Sequence, residues 1–205
     1  REKHMAEEKS RSKRDINKEH KKECIRAAYI RLGRRTSPDN MTINDICKQA
    51  GIAKSTFYTY YDDKYSILDD LREELLQSLR NIIKDLTDVD ISDVDHGIPL
   101  KKATEVMQYI SEHLPEFQTV LGPYGDPRFE IQWKRDIEES FAPLFNNKIN
   151  KRKNAKLASI IFSSSLIGLY KYFIFEQSNL SKQEYAIILG NILRYSLFDF
   201  QTFVE

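Results

Sequence analysis

The sequence contains little cysteine, glycine and proline, and these shortages exclude several classes of protein. Its 205 residues include only two cysteines, Cys24 and Cys47, together with seven glycines and six prolines. Two cysteines outside any C-x-x-C or metal-ligand spacing give neither a disulfide framework nor a zinc motif. The low glycine and proline content excludes collagen-like and glycine/proline-rich disordered chains. A chain of this length buries roughly 70% of its unfolded surface, so we expect it to fold without disulfides or metals.

Long apolar segments are also missing. No uninterrupted apolar run reaches about 18 residues, and the charged N-terminal residues lack the apolar segment of a secretory signal. We therefore expect a cytoplasmic protein with no membrane span. The His4-Met5 pair resembles a cloning junction, which suggests a tag remnant at the start of the chain.

Charge is distributed unevenly, although the net charge is only +1. Residues 1–66 carry 16 Lys and Arg against 10 Asp and Glu, and the remaining residues carry 16 against 21. The first 15 residues do not account for the whole excess, because 10 basic and 6 acidic side chains remain without them. A basic N-terminal third beside an acidic remainder indicates a polyanionic partner for the first part only.

Apolar residues recur at helical spacing along almost the whole chain, which predicts an all-α fold of about nine helices. The predicted helices run over approximately 17–32, 43–50, 54–60, 64–86, 101–114, a short segment from 115, 128–146, 154–176 and 182–203. Pro143 is expected to kink or end the seventh of them. The acidic, non-periodic segment 87–99 is the predicted connection between two domains.

Two short helices around a glycine predict a helix-turn-helix. Thr42 is placed at the N-cap and Asp45 three residues later, which is a capping-box arrangement, and Gly51 stands where a left-handed residue ends the helix. Phe57 of the second helix is expected to enter the core, while its neighbours are donors that reach phosphates and base edges: Lys54, Ser55, Thr56, Tyr58, Thr59 and Tyr60. An ordinary corner between two helices is the alternative for this pattern alone.

A longer match favours the helix-turn-helix over the ordinary corner. Residues 41–68 read M-T-I-N-D-I-C-K-Q-A-G-I-A-K-S-T-F-Y-T-Y-Y-D-D-K-Y-S-I-L. This run resembles the signature of the TetR family of bacterial transcriptional regulators, T-x-x-x-I-A-x-x-A-G-V-S-x-x-T-F/L-Y-x-H/Y-F-x-x-K-x-x-L. The matching positions are Thr42, Ile46, Ala50, Gly51, Thr56, Phe57, Tyr58, Tyr60, Lys64 and Leu68. The departures are Cys47 for alanine, Tyr61 for phenylalanine and Ala53 for serine, and Ala53 removes a side-chain cap from the second helix.

The resemblance implies double-stranded DNA as the partner and assigns a role to each matching position. Phosphate contacts are expected from Thr42, Tyr58, Tyr60 and Lys64. Base contacts are expected from Asn44, Lys54, Ser55 and Thr59, whereas Thr56 stays open between the two. Lys54 is the first choice for a guanine contact because lysine donates to O6 and N7, with a simple phosphate contact as the alternative.

The resemblance also implies a division of the chain. We expect a flexible basic tail over 1–16, the helix-turn-helix domain over 17–63, a connecting helix over 64–86, and a regulatory and dimerisation domain over 87–205. The last two helices would pair with those of a second chain, and a small-molecule effector would bind inside this domain. The run L-G-P-Y-G-D-P-R-F, residues 121–129, is similar to an element of one subgroup of the family. The predicted effector contacts, whose alternative is simple core packing, are Met107, Phe129, Trp133, Tyr170 and Phe173.

No enzyme, cofactor or metal centre is expected. The histidines His20, His96 and His113 show no ligand spacing, and no nucleophile triad or phosphate-binding glycine loop is present. The acidic pairs at 69–70 and 138–139 are predicted to be solvated. The leading hypothesis is a homodimeric regulator, a repressor released by a small molecule. The alternatives are an effector-independent architectural or protein-recruiting DNA-binding factor, and a transcriptional activator.

Overall fold

The computed structural model describes residues 2–84, 101–149, 152–176 and 180–197. These ranges contain nine α-helices and one short 3-10 helix but no strand, which confirms the all-α prediction. The predicted connection over 87–99 lies outside the described residues. The α-helices are α1 (Glu2–Gly33), α2 (Ile43–Ala50), α3 (Lys54–Phe57), α4 (Tyr65–Ile83), α5 (Lys101–Glu112), α6 (Leu114–Leu121), α7 (Pro127–Lys148), α8 (Arg152–Phe175) and α9 (Lys182–Leu197), with the 3-10 helix over Pro38–Asn40.

Two helices are longer than their sequence patterns indicated. Helix α1 begins at Glu2 rather than near residue 17, so helical backbone continues through the residues expected to form a basic tail. Helix α7 continues through Pro143 to Lys148, so of the two predicted effects of Pro143, a kink or an end of the helix, the end does not occur. The ring of Phe162 packs against Phe141 and Phe145 on either side of the proline, at centroid distances of 4.7 and 5.6 Å. These core contacts hold the helical path where the proline removes one backbone hydrogen bond.

Contacts divide the chain into two compact units, Arg1–Leu71 and Arg72–Glu205, and the division falls within α4. In the first unit α1 packs against α2, and α2 packs against α3. Each α-helix of this unit supplies a fully buried side chain: Ile25 of α1, Ile46 of α2, Phe57 of α3 and Ile67 of α4. Because α2 and α3 are short, this shared apolar core is what holds them in place.

In the second unit α7 and α8 form the most extensive helix pair, α5 and α8 both pack against α9, and α6 contacts α7 and α8. Aromatic rings fill the space between them. Trp133 stacks on Tyr170 with ring centroids 4.9 Å apart, and Phe117 touches both Phe129 and Trp133. Large rings in offset and edge-on contact contribute beyond their buried area, so this cluster is a main source of the unit's stability.

Two ion pairs join the second half of α4 to α7 and its N-terminus. Arg80 donates from Nε to Asp136 at 2.7 Å, and Arg72 pairs with Asp126, the N-cap residue of α7. Both carboxylates are buried, with 8% and 5% of the residue surface exposed. Charges removed from water in this way need their partners, so these pairs constrain how α4 lies against α7.

The turn before α7 is closed by backbone hydrogen bonds. The amide of Gly125 donates to the carbonyl of Gly122, and the amide of Asp126 donates to the carbonyl of Val120, both at 2.9 Å. A Cβ atom at Gly125 would collide with that Val120 carbonyl. Glycine is therefore required here because of a close approach between two stretches of backbone.

One helix in the described ranges, over Asn154–Phe175, is long and apolar enough to cross a membrane by length and composition. That is a weak indication, because a helix packed within a globular protein passes the same test. Here the helix packs against α7 and α9.

Candidate nucleic-acid interface

Helix α2 begins with the predicted capping box. The Oγ1 atom of Thr42 accepts a hydrogen bond from the amide of Asp45 at 3.1 Å, and the Asp45 carboxylate accepts one from the amide of Thr42 at 3.0 Å. The side-chain hydrogen bond from Thr42 and then the backbone one lower the pKa of Asp45. The helix ends at Gly51 with φ of 67°, in the left-handed region that favours glycine. The sequence therefore located both ends of α2 correctly.

Helix α3 is shorter than predicted. Its α-helical residues are Lys54–Phe57, and the chain continues to residue 60 as turns rather than as helix. The N-cap residue Ala53 makes no side-chain hydrogen bond, as its lack of a polar group predicted. Phe57 has no exposed surface and contacts the rings of Tyr58 and Tyr61, so it anchors this segment to the core.

The predicted DNA contacts lie on the surface around that anchor. Lys54, Ser55, Tyr58 and Thr59 are exposed, while Thr56 and Tyr60 are half-buried. Thr42 and Asn44, at the start of α2, are exposed as well. The fixed core residue and its exposed neighbours thus form one polar surface on the helix-turn-helix.

Lys64 makes contacts that the sequence did not reveal. Its ammonium donates to the backbone carbonyl of Asp39 at 3.0 Å and to that of Met41 at 2.8 Å. The neighbouring Tyr65 hydroxyl donates to the Asp39 carboxylate at 2.7 Å, and this hydrogen bond is the main cause that raises the pKa of Tyr65. A lysine has three donors, so Lys64 holds the turn before α2 and keeps one donor for another acceptor.

Asp70 is a second contact point that the sequence missed, since the pair 69–70 was predicted to be solvated. Its carboxylate accepts from Lys22 of α1 at 2.9 Å and from the Tyr61 hydroxyl at 2.7 Å. Arg26 lies 3.9 Å away. Partners 9 to 48 residues distant in sequence have no local signal. This carboxylate therefore connects α1, α4 and the segment that follows α3.

The five predicted effector contacts lie mostly in the core of the second unit. Met107, Phe129, Trp133 and Tyr170 are buried, and burial raises the pKa of Tyr170. Phe173 is half-buried and meets Tyr185 edge-on with centroids 4.9 Å apart. Two cavities in this unit, of about 520 and 200 Å³, are lined by other residues. The effector role of these five side chains therefore stays a prediction, and what the structure describes is mutual packing.

No group of three or more His, Cys, Asp or Glu side chains that could hold a metal ion occurs among the described residues. The predicted site presents hydroxyls and lysine ammonium groups around a short helix. The two short helices on either side of Gly51 form a helix-turn-helix, and proteins of that class use donors of this kind to bind phosphates and base edges.

Comparisons with known proteins extend this classification. The family profile described as "Bacterial regulatory proteins, tetR family" matches residues 25–71. The TetR transcriptional regulator from Streptococcus agalactiae 2603V is 19% identical, with a TM-score of 0.59 over 88% of this chain and 97% of that one. The dihydroxyacetone kinase operon activator DhaS is 15% identical (TM-score 0.56; 86% and 96% covered), and a gamma-butyrolactone receptor, ArpA-like, is 14% identical (0.54; 87% and 98%). Among curated proteins, no sequence matches the chain.

Because the solved structures are less than 20% identical to this chain, they show its fold alone. The family profile identifies the DNA-binding domain within residues 25–71. Residues 25–71 form a TetR-type helix-turn-helix, and the chain has the fold of TetR-family transcriptional regulators. The resemblance found in the sequence is thereby confirmed.

Proposed function

We propose that the protein is a homodimeric, non-catalytic transcriptional regulator of the cytoplasm that binds a pseudo-palindromic operator, represses transcription there and is released by a small molecule. The observation that carries the proposal is the exposed polar surface around the buried Phe57 in a TetR-type helix-turn-helix. In this proposal 17–63 form the DNA-binding domain, 64–86 connect it, and 87–205 sense the effector and dimerise.

The contacts with DNA follow from this surface. Thr42, Tyr58, Tyr60 and Lys64 would bind phosphates and fix the register of the protein on the duplex. The base-contacting side chains would be Asn44, Lys54, Ser55 and Thr59, with Thr56 shared between the two kinds of contact. Helix α3 has no side-chain cap, so its free backbone amides add donors suited to a phosphate.

Dimerisation is supported by an apolar surface of α8, which we call the α8 stripe: Leu157, Ile161, Gly168, Tyr172 and Phe175. Intervals of 4, 7, 4 and 3 residues place these positions on one side of a helix. The four large side chains have 38–50% of their surface exposed, and the exposed Ser164 and Ser165 lie between Ile161 and Gly168 on the same side. On α9, Tyr195 is 49% exposed. A second copy of the same two helices would cover both surfaces.

Control by an effector is supported by the cavities of the second unit and by the fold it shares with a protein named as a receptor. The direction of regulation depends on where the operator lies relative to the promoter. Activation is the alternative, since the similar DhaS is named as an activator.

The test is selection of bound duplexes from a random DNA pool with the full chain, followed by anisotropy titration at several salt concentrations. We expect a pseudo-palindromic sequence, bound at least about a thousandfold more tightly than bulk DNA. Recovery of no shared sequence, with an affinity governed by salt alone, would contradict the proposal and favour an architectural factor. Absence of DNA binding would overturn both.

The variant Lys54→Ala distinguishes a guanine contact from a phosphate contact for this side chain. If the ammonium reads a guanine, the variant loses about 1–3 kcal/mol on the selected operator and relaxes the preference at one base pair. The readout is competition between the operator and its single-base variants. Lys48→Ala removes an exposed lysine of α2 that the proposal leaves out, and it should keep the preference. An equal loss on every sequence would make Lys54 a phosphate contact.

A further inference from the structure

A cavity of about 520 Å³ lies between α7 and α8, apart from the aromatic cluster that the sequence suggested as the effector site. Its volume lies within the range of small-molecule sites in proteins. The residues used in the argument are Glu138, Glu139, Phe145, Asn146, Lys156 and Ser159, and two alanines complete the wall. We call this cavity the α7–α8 groove.

The described lining residues of the groove carry more negative than positive charge. They include two acids, Glu138 and Glu139, and one base, Lys156. One carboxylate oxygen of Glu138 accepts a hydrogen bond from Ser163 Oγ at 2.9 Å, and Ser163 is fully buried. That hydrogen bond orients the carboxylate and leaves its second oxygen as an acceptor. Of the pair 138–139, predicted to be a solvated face, Glu139 is exposed, whereas Glu138 is half-buried and is held by this hydrogen bond.

A hydroxyl of the groove is available to a ligand. Ser159 has 7% of its surface exposed and lines the groove, and no hydrogen bond joins its hydroxyl to another described residue. A bound donor can therefore reach an acceptor that has no competing partner within the described part of the chain.

The rest of the groove is apolar. Phe145, with 1% of its surface exposed, forms the floor, and Ala142 lies beside it. We propose that the α7–α8 groove binds a small organic cation in which an ammonium group is attached to an apolar body. An ammonium offers three donors and no acceptor, which matches carboxylates and a hydroxyl. An anion would meet two carboxylates, and a neutral apolar molecule would leave these acceptors unpaired.

The groove and the α8 stripe are separate surfaces. Ser159 lies two residues from both Leu157 and Ile161, and two residues correspond to about 200° of rotation around an α-helix. The second copy proposed for the stripe therefore covers the opposite side of α8. A ligand in the groove and a partner on the stripe do not compete for the same residues.

Binding is tested with the full chain and three probes that differ in charge: 4-phenylbutylamine, 4-phenylbutan-1-ol and 4-phenylbutyrate. Calorimetric titration at neutral pH should show one amine bound per chain. The amine should bind at least about tenfold more tightly than the alcohol, since a hydrogen bond to a charged group contributes about 1.5–3 kcal/mol. The carboxylate should bind weakest.

Variants then locate the site. The double variant Glu138→Gln, Glu139→Gln keeps the shape and should weaken amine binding about tenfold or more while leaving the alcohol unchanged. Ala142→Phe should fill the groove and abolish binding of both, and its thermal unfolding is measured to confirm that it folds. Glu112→Gln removes one negative charge, against two in the double variant, from an exposed position on α5 and should leave the amine affinity unchanged.

Equal affinity for the three probes, no binding of the amine, or an amine affinity insensitive to the glutamate variants would overturn the proposal. The inference rests on the proposed function only in treating this ligand as the effector. Binding is measured without DNA, so failure of the DNA selection and failure of the groove are distinguishable. If the protein binds both the operator and the amine, adding the amine should lower the affinity of the protein for the operator. The double glutamate variant should lose that response.

Discussion

Replacing Gly168 by arginine is expected to convert the protein from a dimer to a monomer and to weaken binding to the selected operator by about a hundredfold or more. Gly168 lies in the middle of the α8 stripe, and a Cβ atom added there meets nothing within 4 Å. A single chain therefore accommodates a larger side chain without strain. A second copy packed on the stripe does not, because a long charged side chain would stand between two apolar surfaces.

The measurements are sedimentation velocity and operator binding of the full chain. Gly168→Ala is the matched control, since it adds one methyl group and raises helix propensity without blocking the surface. We expect it to stay dimeric, and thermal unfolding should show that the arginine variant is folded. A dimeric arginine variant with unchanged operator affinity would remove the α8 stripe from the proposed interface.

Asp126→Asn is expected to destabilise the second unit by about 3 kcal/mol or more, because it removes a buried carboxylate that pairs with two arginines. Asp126 pairs with Arg72 of α4 and with Arg128, whose guanidinium lies 2.8 Å away. Asparagine still caps α7, so the variant isolates the charge from the cap. Asp126→Ala removes both the charge and the cap, and it should lower the free energy of unfolding by about 1 kcal/mol more than Asp126→Asn does. Urea unfolding followed by Trp133 fluorescence reports on this unit, since Trp133 is the only tryptophan.

The control is an ion pair of similar length in an exposed setting. Lys171 and Glu130 are 2.8 Å apart, with roughly two fifths of each side chain exposed. Glu130→Gln should therefore cost less than about 1 kcal/mol. Equal losses for the two variants would mean that burial does not set the strength of the Asp126 pairs.

The same carboxylate gives the second unit a defined dependence on pH. Burial by itself raises the pKa of Asp126, but the hydrogen bonds from Arg128 and Arg72 outweigh it and hold the pKa below its ordinary value. The stabilisation is thus present above the unfolded-state pKa of about 3.9 and is lost as pH falls through the lower folded-state value. Below pH 4 the wild-type protein should lose the stabilisation that the ionised Asp126 provides. The difference in free energy of unfolding between the wild type and Asp126→Asn should therefore shrink.

Local sequence patterns were sufficient for the helix-turn-helix. The Thr42 capping box, the Gly51 end of α2 and the uncapped Ala53 each depend on residues within a few positions of one another. The end of α3 was placed too late, since the turns after Phe57 keep some helical hydrogen bonds while leaving the helix. Such an ending depends on how Phe57 and Tyr61 pack, which no local pattern contains.

Contacts between distant residues explain what the sequence missed. Lys64 matched a family position and was assigned to phosphate on that basis, yet its ammonium reaches carbonyls 23 and 25 residues earlier in the chain. The aromatic residues near Trp133 were predicted as effector contacts, with core packing as the alternative. Whether such rings enclose a cavity or fill it depends on the spacing of four helices, and here Trp133 and Tyr170 stack directly.

The turn before α7 has a consequence for how the sequence can change over time. Most surface turns accept substitution and insertion freely, but this one closes over its own carbonyl groups and leaves no room for a side chain at Gly125. Substitution of Gly125 by any larger residue is therefore disfavoured, even though the neighbouring Tyr124 is exposed. The residues that follow also position Asp126, so an insertion here would disturb the start of α7 as well as the turn. The segment therefore behaves, for mutational tolerance, like part of the core rather than like a loop.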